Sequence, residues 1–561
     1  MFRKAFLLIF VLIATSFAQQ KSGNDQNAPV LKVKTRLVVV DVIARDSNGA
    51  AVTDLKQEDF TVLEDGKEQK VRVFNFQGAG ASAVPVQQPV SQPNTFDNLP
   101  RFQSGRALNV ILLDSLNTNR VNQAFMRDAM IKYLEKLPEN QPIAVYLLGD
   151  RLRLLQDFTT DPATLKEVVR SFKGKSSRFL NVSADGTPAD PLLPGIAQSL
   201  PAQMAAQIRL FQDQLAVNLL DQRVEITLSA LRALARTLSG YPGRKNLLWI
   251  SESFPFAVML NGITAKSSVT DRNYSPEIAR TGNLLSDAQV AIYPLDAGGL
   301  AGFVNIKSDT NAGGIPDNLD AHGTMNDLAE RTGGRAFYNM NYVEDAVRES
   351  IDDGSTYYTL GYYPENHDWN GAFRKIQIKA QRNGVKLRYR IGYFAADNTT
   401  FAKLNPKKKD EDFDEALRLS VPIATALPFK AMVLPPSAQT GNKVIVNFGA
   451  DPHVLSFSEN DQGLKQVDMI CAVRVFARKD LDKPLATEAR QMGGAMNAEA
   501  YEKVMKSYFP CRDQLTLQPG SYVLRLGVRD NETGLIGTAT ATLTVPAETT
   551  SGNPAPKETK P

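Results

Sequence analysis

The chain has 561 residues, 43% hydrophobic and 22% charged, which is ordinary for a soluble globular protein and leaves room for roughly three or four domains. Lysine and arginine total 64 against 60 acidic residues, and a net charge of +4 is too mild to argue for nucleic acid or an anionic membrane as partner. With three histidines in all, no histidine-rich metal centre or catalytic triad is easily assembled.

The first residues point to export. Arg3 and Lys4 give a positive start, residues 5–14 are apolar, and Ser16-Phe17-Ala18 places small residues around a cleavage site. This reads as a secretory signal peptide over residues 1–18, which makes the mature chain periplasmic or extracellular. No later apolar run is long enough for a membrane span. No cysteine near the cleavage site is available for lipid attachment. In an exported protein Cys471 and Cys511 are expected to form one disulfide, a reduced buried pair being the alternative.

Residues 31–77 read as a small β domain, in which Asp65-Gly66 joins two alternating runs as a hairpin. Residues 78–105, rich in Gly, Pro, Ala and Gln, read as a linker. From residue 106 strands alternate with helices. RALNVILLDSLNT (106–118) is an unbroken apolar strand ending in a polar loop, as expected of a central strand in a parallel sheet. A helix near 121–137, a strand at 143–148 and a helix near 163–172, started by Asp161-Pro162, come next. An irregular insertion over 174–200 leads into a long helix that stops at Gly240-Tyr241-Pro242-Gly243. Strands at 246–251 and 290–295 follow, then a helix through Leu328, a strand at 335–338 and a helix over 343–351.

The pattern predicts an α/β domain, doubly wound with a mostly parallel sheet, over residues 106–396. Antiparallel strands close it, the last two meeting across Arg382-Asn383-Gly384. Residues 397–415, with the run KKKDED, read as a charged linker. Residues 416–546 return to β character with one helix near 498–507, and their spacing predicts an immunoglobulin-like β-sandwich. Residues 547–561 have the composition of a disordered tail.

The middle of the chain resembles the von Willebrand factor type A (VWFA) family, and more narrowly the VWFA-related domains common in secreted acidobacterial proteins. The segments that carry the resemblance are NVILLDSLNT, FTTDPATL, GRKNLLWISESFP, VAIYPLDAGGL, LAERTGGRAFYN and the ending from YYTLGYY to IGYF. The upstream LVVVDVIARD segment matches what commonly precedes that domain. The resemblance implies an interaction fold whose site holds a divalent metal through an Asp-x-Ser-x-Ser loop, a threonine and an aspartate. Hydroxyls with few carboxylates leave such an ion undercharged, so that a partner's carboxylate completes its coordination.

This chain keeps part of that set. Asp114 matches, Thr118 keeps the second hydroxyl, and Glu252 stands near the expected aspartate, so these three are the candidate metal ligands, with magnesium or, better, calcium as the ion. Leu116 replaces the first serine and offers no oxygen. The competing reading makes Asp114 a cap or loop-closing acceptor, and the lost ligand favours it. Ser115, Asn117, Ser251 and Ser253 would line the same binding edge. The resulting expectation is a non-enzymatic exported protein that meets a protein partner through this edge, in an adhesion-type role.

Two rivals stand beside it. One is an exported metal-dependent hydrolase with a site in the insertions over 174–200 or 297–320, which hold Asp185, Asp190, Asp309, Asp317 and Asp320. The other is a structural envelope component without a working metal site. Ser115 lacks the Gly-x-Ser-x-Gly elbow of a hydrolase nucleophile. Tyr357, Tyr358, Tyr362, Tyr363, Tyr389 and Tyr393 read as cross-strand pairs rather than a ligand platform.

Overall fold

The computed structural model describes residues 36–78, 84–85, 92–100, 102–103, 107–137, 141–174, 177, 179, 201–252, 274–297, 317–338, 343–396, 399–402, 404–437 and 443–546. The expected signal peptide and tail lie outside these residues.

The strands Leu108–Asp114, Ile143–Leu148 and Lys245–Ser251 are buried along their whole lengths, because helices cover both faces of the sheet they build. Across the sheet the order is Leu152–Thr159, Ile143–Leu148, Leu108–Asp114, Lys245–Ser251, Val290–Asp296. The last four run parallel, and the first is an antiparallel edge strand. Sequence periodicity alone missed that edge strand, since its alternation is broken by register shifts. Leu108, Val110 and Leu112 pack toward the helix Ala202–Leu238, while Ile111 and Leu113 pack toward the helices Arg120–Glu135, Pro162–Ser171 and Val343–Ser355. Truncating one such side chain, as in Leu112→Ala, costs about 2–5 kcal/mol. Asp161 caps its helix through the N–H groups of Ala163 and Thr164, with Pro162 in the first turn, as its sequence predicts.

At the opposite end of this sheet Lys245 opens its strand while only 1% exposed, its Nζ donating to the Tyr241 carbonyl at 2.8 Å. Burial pushes its ammonium down to about 7, with Asp41 of the strand Val38–Arg45 opposing.

The small β domain expected over residues 31–77 does not stand apart among the described residues 36–77. Val38–Arg45 pairs with Tyr357–Tyr362 and Lys386–Arg388, and Val71–Gln77 also pairs with Tyr357–Tyr362. Phe60–Glu64 pairs with Asn370–Ala380, which also pairs with Gly392–Ala396. The N-terminal strands and those expected to close the α/β domain therefore share two sheets and one core. A strand with one apolar face needs a second layer to cover it, and the second layer here comes from far along the chain. The hairpin at Asp65-Gly66 forms as expected, both residues having positive φ. The chain also turns at Gly384, but Lys386–Arg388 then crosses to the other sheet instead of pairing back on Asn370–Ala380. Of the tyrosines, Tyr358 packs against Phe60, Phe74 and Phe76, and the hydroxyls of Tyr362 and Tyr393 donate to the buried Glu64.

The C-terminal unit is two facing sheets. One contains Phe429–Leu434, Val444–Ala450 and Phe509–Leu515; the other contains Lys465–Ala477, Gly520–Asp530 and Ile536–Val545. Cys471 and Cys511 form a disulfide between the two sheets, with Cα atoms 6.5 Å apart. Neither expected linker is simply a linker. Thr95–Asp97 adds a strand to this unit by pairing with Phe429–Leu434. The run KKKDED falls in a helix, Pro406–Ala416, whose spacing turns Asp412 and Phe413 inward. Asp412 there meets Arg236 and Arg280 of the α/β domain.

Candidate functional site

Strand order reverses on either side of Leu108–Asp114, so the loop after Asp114 lies where open α/β sheets carry their ligands. That loop, the helix Ala202–Leu238 and the end of Lys245–Ser251 meet around one carboxylate. Asp114 is wholly buried. Its Oδ1 accepts from the Asn117 backbone N–H at 2.9 Å, and its Oδ2 accepts from Asn117 Nδ2 at 2.8 Å and Trp249 Nε1 at 2.9 Å. Ser251 adds a further hydrogen bond. Burial pushes this carboxyl above its ordinary range, and the donors from Asn117, Trp249 and Ser251 pull it back.

The neighbouring groups are committed in the same way. Thr118 Oγ1 accepts from the Glu252 N–H at 3.1 Å. The Glu252 carboxylate accepts from Asn119 twice, from the backbone N–H at 2.7 Å and from Nδ2 at 2.8 Å. Asn119 Oδ1 caps the helix Arg120–Glu135 by accepting from the Asn122 N–H at 2.9 Å. Ser115 Oγ donates to the Leu148 carbonyl at 2.9 Å, and Gln123 Nε2 donates to the Thr118 carbonyl at 2.7 Å.

A cation is built into this network. Arg223, 2% exposed on the helix Ala202–Leu238, donates from Nε to Asn117 Oδ1 at 2.5 Å. Burial lowers its guanidinium pKa, and the charges of Asp114 and Glu252 raise it. An arginine keeps its charge where a lysine gives it up, so it suits this role.

A divalent ion needs several oxygen lone pairs aimed at one point. Here both Asp114 oxygens accept from protein donors, Leu116 is packed in the core, Thr118 accepts from a backbone amide, and both Glu252 oxygens face Asn119. These residues do not fit a metal ion. Among the described residues, no group of three His, Cys, Asp or Glu side chains is placed to hold a metal ion.

The sequence-derived set is thus brought together, but as a hydrogen-bonded loop rather than a ligand sphere. Ser115, Asn117 and Ser251, expected to line an accessible edge, are buried, and Ser253 lies outside the described residues. The insertions invoked for a hydrolase lie largely outside them too, with Asp185, Asp190 and Asp309. Asp317 and Asp320 fall in the helix Asp317–Thr332. Sequence reasoning missed Arg223, Trp249 and Asn119. Arg223 had a signal: it shares the helical stripe of Leu220, Val224, Thr227 and Leu231, all buried, where a lone arginine needs an internal partner.

On the solvent side the edge presents part-exposed Glu252 and the first turns of the helix Arg120–Glu135. There Val121 is 61% and Phe125 37% exposed, one helical turn apart.

Compared with known proteins, the chain matches no family model and no curated relative. Solved structures similar to parts of it include an aerotolerance-related membrane protein from Bacteroides fragilis, at 11% identity and a TM-score of 0.25, over 44% of this chain and 98% of that one. BatB from Bacteroides thetaiotaomicron is similar at 10% identity and a TM-score of 0.25, over the same shares. A von Willebrand factor type A protein from Catenulispora acidiphila is similar at 9% identity and a TM-score of 0.25, over 65% of this chain and 82% of that one. At such scores the likenesses carry no argument, and the mixed α/β architecture rests on the strand order itself.

Proposed function

We propose that the chain is an exported, non-enzymatic binding protein. In this reading a VWFA-like α/β head and an immunoglobulin-like C-terminal module flank a shared β unit. The head meets a protein partner, in an adhesion-type role, through the loop edge around Asp114, and does so without a metal ion. The observation that carries the reading is the guanidinium of Arg223 inside the Asp114–Asn117 network, which supplies the positive charge that the family's metal would supply. The loop is held rigid by its own donors, and Val121 and Phe125 beside it offer apolar contact area. An interchain-independent disulfide within the C-terminal unit fits an oxidising compartment.

The test is capture of a partner from envelope extract by the immobilised mature protein, with EDTA present throughout. The expected result is capture that survives EDTA and is lost in Phe125→Asp, a variant that keeps the native melting temperature. Capture abolished by EDTA would overturn the metal-free mechanism. Capture untouched by Phe125→Asp would overturn the assignment of this edge.

A further inference from the structure

The C-terminal unit carries a polar cleft of about 560 Å3. Its origin lies in the pairing of Lys465–Ala477 with Asp480–Met496. Val467, Met469 and Cys471 are buried in the sandwich core, so Gln466 and Asp468 stand on the outer face. Directly opposite them are Ala495 and Gly493. Two polar side chains facing two of the smallest residues leave a hollow. A Cβ at Gly493 would meet the Val467 carbonyl oxygen at 2.9 Å, so the close backbone approach there suits glycine.

The walls are fixed by buried Asp530. Its carboxylate accepts from the N–H groups of Ser456 at 2.7 Å, Glu532 at 2.8 Å and Thr533 at 3.1 Å. These bonds hold the segment with Ser456 and Ser458 against the turn with Glu532. Asp468 Oδ1 accepts from Gln491 Nε2 at 2.8 Å and Asn531 Nδ2 at 2.9 Å, which orients that carboxylate in the cleft. Glu532 has no ion pair among the described residues. No basic side chain among the described residues lines the cleft. Of the nearby bases, Lys465 pairs with Glu459 and Arg490 with Asp513. Arg529, ion-paired with Asp410, reaches Asp468 only through Asn531 and through its charge, so that Glu532 is the carboxylate left without a cation among the described residues.

We propose that this cleft receives the guanidinium or ammonium group of an extended, basic segment of a partner protein. The volume is in the range of organic-ligand pockets and far exceeds a single ion. Two carboxylates with no lining base make a negative site on a chain of net charge +4. The strand Asp480–Met496, which forms one side of the cleft, pairs with only one strand among the described residues. An extended segment adding to this strand would find main-chain partners where Phe509–Leu515 and the helix Ala498–Met505 do not approach it, with alternate side chains on the cleft's face. This site is independent of the loop edge around Asp114.

The experiment measures binding of a fluorescent decapeptide of alternating arginine and threonine to the whole mature protein. The same peptide with citrulline for arginine, a neutral oligosaccharide and calcium chloride are run alongside. The arginine peptide should bind, the citrulline peptide at least about tenfold more weakly, and Glu532→Gln and Asp468→Asn should each weaken the arginine peptide by about tenfold. Glu532→Gln removes no internal contact and keeps the melting temperature, so its loss of binding reads the site and not the fold. Equal binding of the two peptides, indifference to both variants, or binding only of the sugar or of calcium would overturn the proposal. Phe125→Asp serves as the control at the other site and leaves peptide binding unchanged.

Discussion

The loop edge of the α/β domain and the cleft of the C-terminal sandwich hold similar inventories of polar side chains and put them to opposite use. Around Asp114 each carboxylate oxygen is met by a donor, and a buried guanidinium balances the charge. Around Asp468 the donors fix only one carboxylate oxygen, Glu532 has no ion pair among the described residues, and the space in front of them is open. The lesson is that polar residues at a sheet's ligand-binding end make a site only when some of their hydrogen-bonding capacity is left for a ligand. A saturated network is a piece of architecture.

The contrast breaks first at Arg223. Arg223→Met strands a buried carboxylate and is expected to cost about 3–5 kcal/mol, read by denaturant unfolding. Because burial holds the Asp114 carboxyl above its ordinary range, protonation at acid pH neutralises the stranded charge, so the deficit shrinks on acidification. Adding Asp114→Asn should recover much of it. A deficit under 1 kcal/mol that ignores pH would show that the guanidinium is no counter-charge.

The next largest effect falls on the other region. Cys471→Ala with Cys511→Ala opens a bridge between residues 40 apart and should cost about 2–4 kcal/mol. Arginine-peptide binding should weaken with it, while partner capture by the head persists. Equal loss at both sites would mean the two regions fold as one cooperative unit.

A third test uses the far end of the strand Lys245–Ser251. With Lys245 held at about 7 when folded and near 10.5 when unfolded, the unfolded chain binds more protons between those values. Stability should therefore rise with pH above about 7, by up to about 1.4 kcal/mol per unit from this group, and level off below it. Lys245→Met should flatten that slope, and an unchanged slope in the variant would assign the titration elsewhere. The smallest expected effect is that of metals. A working site with free ion at about a hundred times its Kd would add about 2.7 kcal/mol. Magnesium, calcium or manganese should add none to the wild type, and a rise abolished by Asp114→Ala would reinstate the cation.

What the sequence made legible was local. The strand Leu108–Asp114, the hairpin at Asp65-Gly66, the cap at Asp161 and the partnership of Cys471 with Cys511 each declare themselves in a few residues. Leu116 at a ligand position argued against a metal on its own. What stayed hidden depends on distance. Asn117 and Arg223 meet across 106 residues, and neither periodicity nor turn chemistry encodes such a meeting. The polar cleft was hidden for a related reason. Gly493 and Ala495 acquire meaning only from Asp468 and Gln466 opposite them, and the strand that carries them is too exposed to show an apolar alternation.

The shared core of the N-terminal strands has a consequence in time. Leu55 donates to the Tyr358 hydroxyl from 303 residues away, and Val38–Arg45 finds both its neighbours only beyond residue 356. A chain that emerges from its amino end must carry Val38–Arg45 and Val71–Gln77 without their sheet partners until the α/β domain has followed. Such long-range pairing slows folding and leaves strand edges open to wrong partners. The first strands made are thus among the last to settle, and the protein depends on protection of its leading segment while the rest arrives.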